Sequence, residues 1–504
     1  MTNKIEKNLK FWGHNCFSIE SNKTLLITDP WFSKSGAFFG SWFQYPKNHN
    51  LQDDILNLIN IYDDVNIFIS HEHQDHYDKR FLSKVRKDAT ILIPSYKDKF
   101  FKNDCSSLNL KVIEIKDTEK VYLNKHFWVK PYISHIGINH DSALLIATDE
   151  FNFFNQNDCK IFDRLKEINE KIDYYSVQFS GATWHPSNFI LSSKRKKEIS
   201  SEKVANKLNS VLRGVSELKP KYFLPAAGPA IFPYLEDNLS YGIDNIFIHQ
   251  NYLNDYLKNN SINNTLYLEP GAYLDDNRIK PIEPPSCLKQ IEEYKKDTID
   301  IWQQLDITFD RSLLEKSIIE RLERIQDINI INAPVLIFNF ANKFDNKDYL
   351  NKNKIFIDLS NKKILTSFEY NLPFEEIMAE KKYFALMHSD ERWQNVYLSL
   401  RAKVLREPDI FNNLNMFLFS DVENIRENFI LTHNISNERV EIKNKNGEIF
   451  EINRYCPHNG ADLCNAEINS DNYLICPRHG WKFDLNNKGV DKLSKTSINS
   501  RKLS

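Results

Sequence analysis

Four metal-ligating side chains near the C-terminus constrain this chain more than any other feature of its sequence. They are Cys456, His458, Cys476 and His479, arranged as Cys-x-His, seventeen residues and Cys-x-x-His. Each pair is close enough in sequence to lie on one short loop. Two thiolates suit one iron of a [2Fe–2S] cluster, and two imidazoles suit the other. A Cys2His2 zinc site is the alternative, although such sites usually have a different spacing.

The residues around these ligands support the iron–sulfur interpretation. The first loop continues as Asn-Gly-Ala-Asp-Leu over 459–463, and the second as Gly-Trp-Lys-Phe-Asp over 480–484. With these flanks, the chain from Ile430 onward resembles the Rieske family, in which histidines replace two of the cluster's cysteines and raise its reduction potential. We therefore expect an all-β Rieske domain over 426–504 that carries a one-electron centre.

The length and charge of the chain limit the class of protein. A chain of 504 residues is too long for one ordinary domain. Its 66 basic and 68 acidic residues nearly cancel, which argues against an extended nucleic-acid or membrane surface. The odd count of seven cysteines does not suit a disulfide framework and indicates a reducing compartment. We expect a cytoplasmic protein that binds neither nucleic acid nor a membrane.

The first 280 residues alternate short apolar runs with amphipathic stretches, a pattern typical of a layered α/β domain. Strands are expected over 25–28, 65–70, 90–94, 142–147, 175–179 and 222–225. Apolar residues between Val204 and Leu218 recur at helical spacing, which predicts a helix with a buried face. The basic run 194–197 before it is interpreted as a solvated loop, with phosphate binding as the alternative.

A proline-rich stretch over 280–285 indicates a domain boundary. The region 281–425 is expected to be an α+β middle domain without a defensible ligand cluster. Its predicted elements are helices over 288–305 and 313–325, a hairpin of strands 354–359 and 363–366, and helices over 374–387, 391–405 and 408–419. The sequence gives no role for this region.

A second group of ligands directly follows one of the predicted strands. It reads His-Glu-His-Gln-Asp-His and supplies His71, His73, Asp75 and His76. Alternation at the end of the strand places His71 and His73 on one side, and a tightening turn brings the other two under the same pocket. Single histidines are usually ordinary polar groups, but three imidazoles and a carboxylate at this spacing predict a metal site.

A strand followed by His-x-His-x-Asp-His resembles the metallo-β-lactamase superfamily, which implies an αββα sandwich over 1–280. By position, the resemblance implies His135 as a third imidazole ligand and Asp158 as a bridging carboxylate, with His140 as the alternative to His135. Asp29 would support the ligands from behind. The superfamily's last histidine should follow the strand ending near 225, but the chain reads Ala-Ala-Gly-Pro there.

This missing histidine affects one of the two metal positions that the resemblance implies. The position that uses Asp75 and His76 lacks a ligand, whereas the other position is complete. A mononuclear site of imidazoles and a carboxylate with open positions suits non-haem Fe(II), and zinc would also accept these ligands. Asp75 and His76 could then complete the iron site, move protons during catalysis or anchor a second metal.

The combination of the two sites resembles the CMP-N-acetylneuraminic acid hydroxylase family, which joins a Rieske domain to a metallo-β-lactamase-like domain. The stretches 157–159 and 179–182 are also similar to that family, although its animal members carry the Rieske domain first. The resemblance implies a monooxygenase that passes an electron from the cluster to a mononuclear iron. That iron would activate O2 for attack on a small-molecule substrate.

A ferredoxin or cytochrome b5-like donor, with its reductase, would reduce the cluster of such an oxygenase. A homo-oligomer is possible, because in many Rieske enzymes the cluster serves the iron of a neighbouring subunit. Two other functions remain open. One is a metallohydrolase with the cluster as a redox gate, and the other is a non-enzymatic redox sensor.

Overall fold

The computed structural model describes residues 8–97, 99–134, 140–236, 238–241, 245–274, 285–330, 333–340, 353–389, 391–412, 414–435 and 438–503. These residues form two units. The first unit contains 8–134, 140–182 and 201–302, and the second contains 183–200 and 303–503.

The described residues up to 304 form fifteen strands and eight α-helices. The strands are β1 (Leu9–Gly13), β2 (Cys16–Ser21), β3 (Thr24–Thr28), β4 (Phe43–Gln44), β5 (Asp64–Phe68), β6 (Thr90–Pro94), β7 (Lys111–Ile115), β8 (Val121–Asn124), β9 (Phe127–Ser134), β10 (Asp141–Ala147), β11 (Asn152–Asn155), β12 (Tyr174–Ser176), β13 (Tyr222–Leu224), β14 (Ala230–Ile231) and β15 (Ala272–Tyr273). The helices are α1 (Gln52–Ile61), α2 (Lys79–Leu82), α3 (Phe100–Ser106), α4 (Ser193–Leu218), α5 (Asn238–Tyr241), α6 (Gln250–Asn259), α7 (Cys287–Asp297) and α8 (Ile301–Gln304).

Two large sheets pack face to face in the first unit. One has the strand order β15-β1-β2-β3-β5-β6-β7, and the other has the order β13-β12-β11-β10-β9-β8. Leu92 of β6 and Val129 of β9 belong to the buried cluster between the sheets. Ile91 of β6 packs with Ile55 of α1 on one outer face, and Val211 of α4 covers the other. The layers are therefore helix, sheet, sheet and helix, which confirms the αββα prediction.

Strand β6 shows how the sequence specifies a strand inside this sandwich. All five of its residues, Thr-Ile-Leu-Ile-Pro, are buried, and it pairs in parallel with β5 and β7. Alternate side chains point to opposite faces, and both faces are covered, so the strand reads as a continuous apolar run. All six strands predicted in this region are present, with ends shifted by at most three residues.

Helix α4 confirms the predicted helix but begins earlier than its apolar face. The basic run 194–197 lies within the first turns of the helix, so the interpretation as a solvated loop is wrong. Lysine and arginine are good helix formers, and Arg195 has partners that a solvated side chain would lack. Its guanidinium donates to Asp409 Oδ2 at 2.8 Å and to the Leu493 carbonyl at 2.6 Å.

A five-stranded sheet with the order β18-β17-β16-β19-β20 organises the middle region. Its strands are β16 (Val335–Phe340), β17 (Lys354–Asp358), β18 (Lys363–Leu365), β19 (Phe374–Ala379) and β20 (Ala402–Glu407). The helices of the region are α9 (Arg311–Glu323), α10 (Lys381–Met387), α11 (Trp393–Leu398), α12 (Leu414–Phe419) and α13 (Ile425–Ile435). Among the described residues, no helix is apolar over enough of its length to cross a bilayer.

The predicted hairpin is confirmed by β17 and β18, which pair antiparallel. The helices predicted over 374–387 and 391–405 are wrong in part, because β19 and β20 occupy their ends. All six residues of β19 are buried, and the strand lies between β16 and β20. Its Phe-Glu-Glu-Ile sequence lacks polar–apolar alternation because both faces are covered.

The described residues 438–503 are all-β, which confirms the predicted fold class, whereas helix α13 occupies the beginning of the predicted range 426–504. One sheet has the order β21 (Arg439–Lys443), β22 (Ile449–Asn453) and β27 (Arg501–Lys502). The other runs through β23 (Glu467–Ile468), β24 (Tyr473–Ile475), β25 (Lys482–Asp484) and β26 (Val490–Asp491). Two loops, one after β22 and one after β24, carry the four C-terminal ligands.

Candidate metal centres

The two C-terminal ligand loops have the same backbone geometry. In each loop the N–H of the cysteine donates to the carbonyl five residues further on. The Cys456 N–H bonds to the Ala461 carbonyl at 2.8 Å, and the Cys476 N–H bonds to the Trp481 carbonyl at 2.8 Å. Two equivalent turns thus present the two thiols, both of which are buried.

A glycine closes each of these turns. Gly460 and Gly480 donate back to the cysteine carbonyls at 2.9 and 3.0 Å, with φ angles of +70° and +69°. Such angles favour glycine, because a Cβ atom is strained there. The turns bring the rings of His458 and His479 to a centroid distance of 4.3 Å. Two buried thiols and two adjacent imidazoles fit the ligand set of a Rieske [2Fe–2S] cluster.

Aromatic rings cover one of these imidazoles. The Trp481 ring stacks on His458 at 4.5 Å, and Phe411 meets the same imidazole edge-on at 5.2 Å. Phe411 follows the middle sheet, and its N–H donates to the Ser494 carbonyl at 2.9 Å. The middle region therefore contributes to the wall of the cluster site.

The N-terminal ligands lie at the carboxyl end of β5, where the sheet gives way to a tight turn. His71 Nε2 and His73 Nδ1 are 2.9 Å apart, so the two imidazoles converge on one point. The turn is closed by the N–H groups of His76 and Tyr77, which both donate to the His73 carbonyl. The close spacing of His71, His73 and His76 along the chain therefore brings their imidazoles together in one cluster.

Asp29 follows the neighbouring parallel strand β3 and lies behind this cluster. Its carboxylate accepts from the Ser70 N–H and hydroxyl, each at 2.7 Å, and from the Asn15 amide at 2.7 Å. It also contacts His76 Nδ1 at 2.9 Å. Because Nδ1 is engaged by the carboxylate, the Nε2 atom of His76 faces the centre of the site.

Two overlapping groups of side chains could each hold a metal ion. One group is His71, His76 and Asp158, and the other is His14, Asp75 and His76, with ligand atoms within 4.8 Å of one another in each group. His76 Nε2 lies 3.5 Å from Asp158 Oδ1 and 3.9 Å from Asp75 Oδ2. His76 belongs to both groups, so the two positions adjoin.

Several atoms of these groups are buried without a hydrogen bond to any described residue. They are both ring nitrogens of His14, Nε2 of His76 and Oδ1 of Asp158. Buried polar atoms nearly always have a partner, so this set fits a bound cation. Burial opposes the charge of Asp158, but His76 and His71 hold the pKa of Asp158 well below its usual range.

Of the two histidines proposed as the third imidazole ligand, the structure describes only one. His135 lies outside the described residues. His140 stacks on Tyr96 with ring centroids 5.0 Å apart, and it is in neither ligand group. The next residue, Asp141, was not predicted to be part of the site, yet its Oδ1 lies 3.4 Å from His71 Nδ1. Burial and the neighbouring Asp158 raise the pKa of Asp141 well above its usual range.

Two further side chains at the site were missed by the sequence analysis. His14 lies in the β1–β2 turn, far from the other ligands in the chain, and a lone histidine in a turn carries no signal. Lys207 on α4 is half-buried and donates to Gln178 Oε1. Burial lowers the pKa of Lys207 to about 7. The long amphipathic helix gave no sign that one of its lysines faces inward.

A buried aromatic group lies beside the first ligand group. Phe38, Trp42, Phe232 and Phe247 are all buried, and Trp42 contacts each of the other three at 5.2 to 5.7 Å between ring centroids. Phe38 also approaches the His73 ring at 6.2 Å. These rings form an apolar wall on the His73 side of the site.

Comparison with known families agrees with this division of the chain. A Rieske [2Fe-2S] domain model matches residues 415–499, and a beta-lactamase superfamily domain model matches residues 8–140. The chain joins a Rieske domain to a metallo-β-lactamase-like domain. The cluster ligands and the first ligands of the other site each fall within the matched range of their own domain.

Two relatives align with most of this chain, and a third aligns with a short part of it. A protein named as a Rieske 2Fe-2S iron-sulfur protein in Mycolicibacterium smegmatis is 24% identical, over 94% of this chain and 96% of its own. Cytidine monophosphate-N-acetylneuraminic acid hydroxylase of Mus musculus is 24% identical, over 81% of this chain and 72% of its own. Cholesterol 7-desaturase of Hemicentrotus pulcherrimus is 36% identical over about a tenth of each chain. The family resemblance inferred from the two ligand sets is confirmed.

Proposed function

We propose that this protein is a Rieske-dependent non-haem iron monooxygenase. The cluster held by Cys456, His458, Cys476 and His479 would deliver electrons to iron in the metallo-β-lactamase-like domain. The observation that carries this proposal is the presence, in one chain, of a one-electron ligand set and a separate buried site of imidazoles and carboxylates. Hydrolysis alone has no use for a one-electron centre.

The donor atoms of the second site support iron as its metal. His71 Nε2 and His73 Nδ1 lie 2.9 Å apart, and Asp158 belongs with His71 to one of the two ligand groups. Two imidazoles and a carboxylate that leave positions open are the ligand set of non-haem Fe(II) oxygenases. When bound, iron in this position would supply O2 binding and activation. His135, implied by the resemblance, remains a proposed further ligand.

The protein's own residues orient and protect the two centres. Asp29 fixes the His76 ring by its contact with Nδ1, and Asp141 lies within 3.4 Å of His71 Nδ1. Trp481 and Phe411 cover His458 and limit the access of water to the cluster. In the metal site, the buried ring of Phe38 lies beside His73 and limits the access of water from that direction. Exclusion of water from such a site limits side reactions of activated oxygen.

The relatives support an oxygenase and leave the substrate open. Two of the relatives named above are a hydroxylase and a desaturase. We propose a small-molecule substrate and an external ferredoxin or cytochrome b5-like donor with its reductase. Asp75 and His76, which face the site, are proposed to transfer protons or to bind metal during turnover. A fold hosts many substrates, so the relatives do not fix which one is used here.

The experiment that tests this proposal follows the electron rather than the unknown substrate. Protein purified without oxygen is reduced with dithionite, freed of reductant and mixed with O2, while the cluster is followed by absorbance and electron paramagnetic resonance. We expect reoxidation to be at least tenfold slower in His73→Ala than in the wild type. The control is His126→Ala, which changes an exposed histidine paired with Asp149.

Each outcome of that experiment has a defined meaning. Equal reoxidation rates in the wild type and His73→Ala would contradict electron delivery to this site. Metal analysis supplies an independent answer: iron beyond the two atoms of the cluster supports the oxygenase. Zinc in its place, together with hydrolysis of an activated phosphodiester, would support the hydrolase instead.

A further inference from the structure

We propose that His14 is the ligand of a second metal ion, which it holds together with Asp75 and His76. The position would take a divalent first-row ion such as iron, zinc or manganese. This inference concerns the site of the proposed oxygenase but does not depend on that activity, because it predicts how many metal ions the protein binds.

The chain lacks the last histidine that the metallo-β-lactamase resemblance implies. The strand expected to precede it is β13, and the chain continues with Ala226 and Ala227, both buried. Gly228 follows with a φ angle of +152°, and a Cβ atom there would lie 2.6 Å from the side chain of Ser180. No side chain in this stretch can reach a metal, so the ligand must come from elsewhere.

The β1–β2 turn lies directly against this stretch. The Ala227 N–H donates to the His14 carbonyl at 2.8 Å. From there the imidazole reaches into the site, with its Nε2 atom 3.4 Å from Asp75 Oδ2 and its ring 5.0 Å from that of His76. The buried Trp31 meets the same ring edge-on at 5.1 Å and fixes its direction. His14 thus occupies the place left open by the two alanines.

The hydrogen-bonding state of the His14 ring also supports its role as a metal ligand. Its side chain is 6% exposed, its Nδ1 has no hydrogen bond to a described residue, and its Nε2 has a long contact of 3.4 Å with the Asp75 carboxylate. A neutral imidazole carries one N–H and one lone pair, and buried polar atoms normally have a partner. A metal ion bound at Nε2 would give the lone pair of that nitrogen its partner. His76 Nε2 and Asp158 Oδ1 face the same space and lie 3.5 Å apart, which is longer than a good hydrogen bond.

The backbone at His14 gives a third and independent observation. Its φ angle of +51° lies in the left-handed region, next to Gly13 at +122°. A non-glycine residue in that region is strained and persists where its surroundings hold it. The Asn48 amide donates to the Trp12 carbonyl at 3.0 Å, and Asn15 is fixed to Asp29. The turn is therefore held in a strained form that presents the imidazole.

The donor set defines the ligand class. Two imidazoles and one carboxylate make an N2O set, which first-row divalent ions accept readily. Calcium and magnesium would prefer oxygen ligands throughout. The Nε2 atom of His76 can bind only one ion, so when it serves this position the first ion is left to His71, His73 and Asp158.

The test replaces His14 by asparagine. Asparagine tolerates the left-handed region better than most residues, so His14→Asn keeps the turn while removing the imidazole. Wild type, His14→Asn and the exposed control His126→Asn are purified anaerobically. Metal per chain is then counted by mass spectrometry, with the two cluster irons fixed by absorbance. We expect two further metal ions in the wild type and the control, and one in His14→Asn, with no loss of thermal stability.

A titration independent of the metal acquired during expression completes the test. Chelator-treated protein that retains its cluster is titrated with Co²⁺ and followed by ligand-field absorbance. Two equivalents are expected for the wild type and one for His14→Asn. One equivalent in the wild type, or two in the variant, would overturn the inference. Neither result bears on electron delivery at His73, so the two proposals fail separately.

Discussion

The Nδ1 atom of His76 lies 2.9 Å from a carboxylate oxygen of Asp29, and this contact sets which nitrogen of His76 faces the metal site. When a carboxylate that holds the non-ligating nitrogen of a metal-binding histidine is removed, metal affinity typically falls about 10–100-fold. Asp29→Asn keeps the shape but gives the ring a neutral partner. We therefore expect metal affinity to fall by about 10–100-fold, measured by competition with a coloured chelator.

Asp63→Asn is the control for this change, because Asp63 is an exposed carboxylate paired with Lys23 at the surface. Its metal affinity should equal that of the wild type. An Asp29→Asn protein with unchanged affinity would show that the contact does not orient a ligand.

The two closing glycines of the cluster loops give a second prediction. Gly460 has a φ angle of +70°, and an added Cβ would cost about 1 kcal/mol through backbone strain. Because this strain falls on a ligand loop, Gly460→Ala should lower the fraction of chains that carry a cluster. The measurement is cluster absorbance per protein.

The same substitution in a turn without ligands is the matched control. Gly447 has a φ angle of +87°, and a Cβ there would meet only the Lys443 side chain, at 3.7 Å. Gly447→Ala should lower the melting temperature in the same way while leaving cluster content unchanged. Equal cluster loss in both variants would mean that domain stability, not loop geometry, controls occupancy.

Local patterns in the sequence specified much of this molecule. The four cluster ligands could be predicted because each pair lies within one turn, where chain geometry alone brings the side chains together. The same reasoning holds for His71 to His76 at the end of β5, and short apolar runs identified the buried strands. In each case the relevant distance along the chain is a few residues, so no knowledge of the fold is needed.

Features that depend on distant contacts were not predicted. His14 reaches the site only because β1 and β2 pair beside β3, which a lone histidine in a turn cannot reveal. Strand β19 was mistaken for helix because Glu375 and Glu376 are buried within it, and their burial is possible only with partners from other elements. Glu376, for example, is neutralised by Lys354 of β17.

A pH dependence of stability follows from His49, which is 6% exposed and packs near Tyr294. Burial, together with the charges of Lys47 and Lys34, lowers the pKa of His49 to about 4. The unfolded chain has a pKa near 6.5 at this residue, so it binds more protons than the folded chain between pH 6.5 and 4. Stability therefore falls as the pH is lowered through this window.

His49→Gln should remove this dependence. Between pH 7 and pH 4 the wild type is expected to lose roughly 3 kcal/mol more of its free energy of unfolding than the variant. Denaturant unfolding at several pH values measures the difference, and the exposed His126→Gln should follow the wild type. Parallel curves for the wild type and His49→Gln would show that His49 is not buried in its neutral form.

The buried ion pair of the middle sheet gives the last prediction. Lys354 Nζ lies 2.6 Å from Glu376 Oε1, with the two side chains 4% and 0% exposed, and the Asn339 amide donates to the same oxygen at 2.7 Å. Removing one partner of a buried pair leaves the other charge buried without a partner, which typically costs about 3–5 kcal/mol. Lys354→Met should therefore destabilise the protein by that amount, measured by denaturant unfolding.

The control adds Glu376→Gln to Lys354→Met, which replaces the buried, unpaired carboxylate by a neutral amide and keeps an acceptor for Asn339. The double variant should be more stable than Lys354→Met alone, since the penalty arises from the unpaired charge rather than from the lost contact.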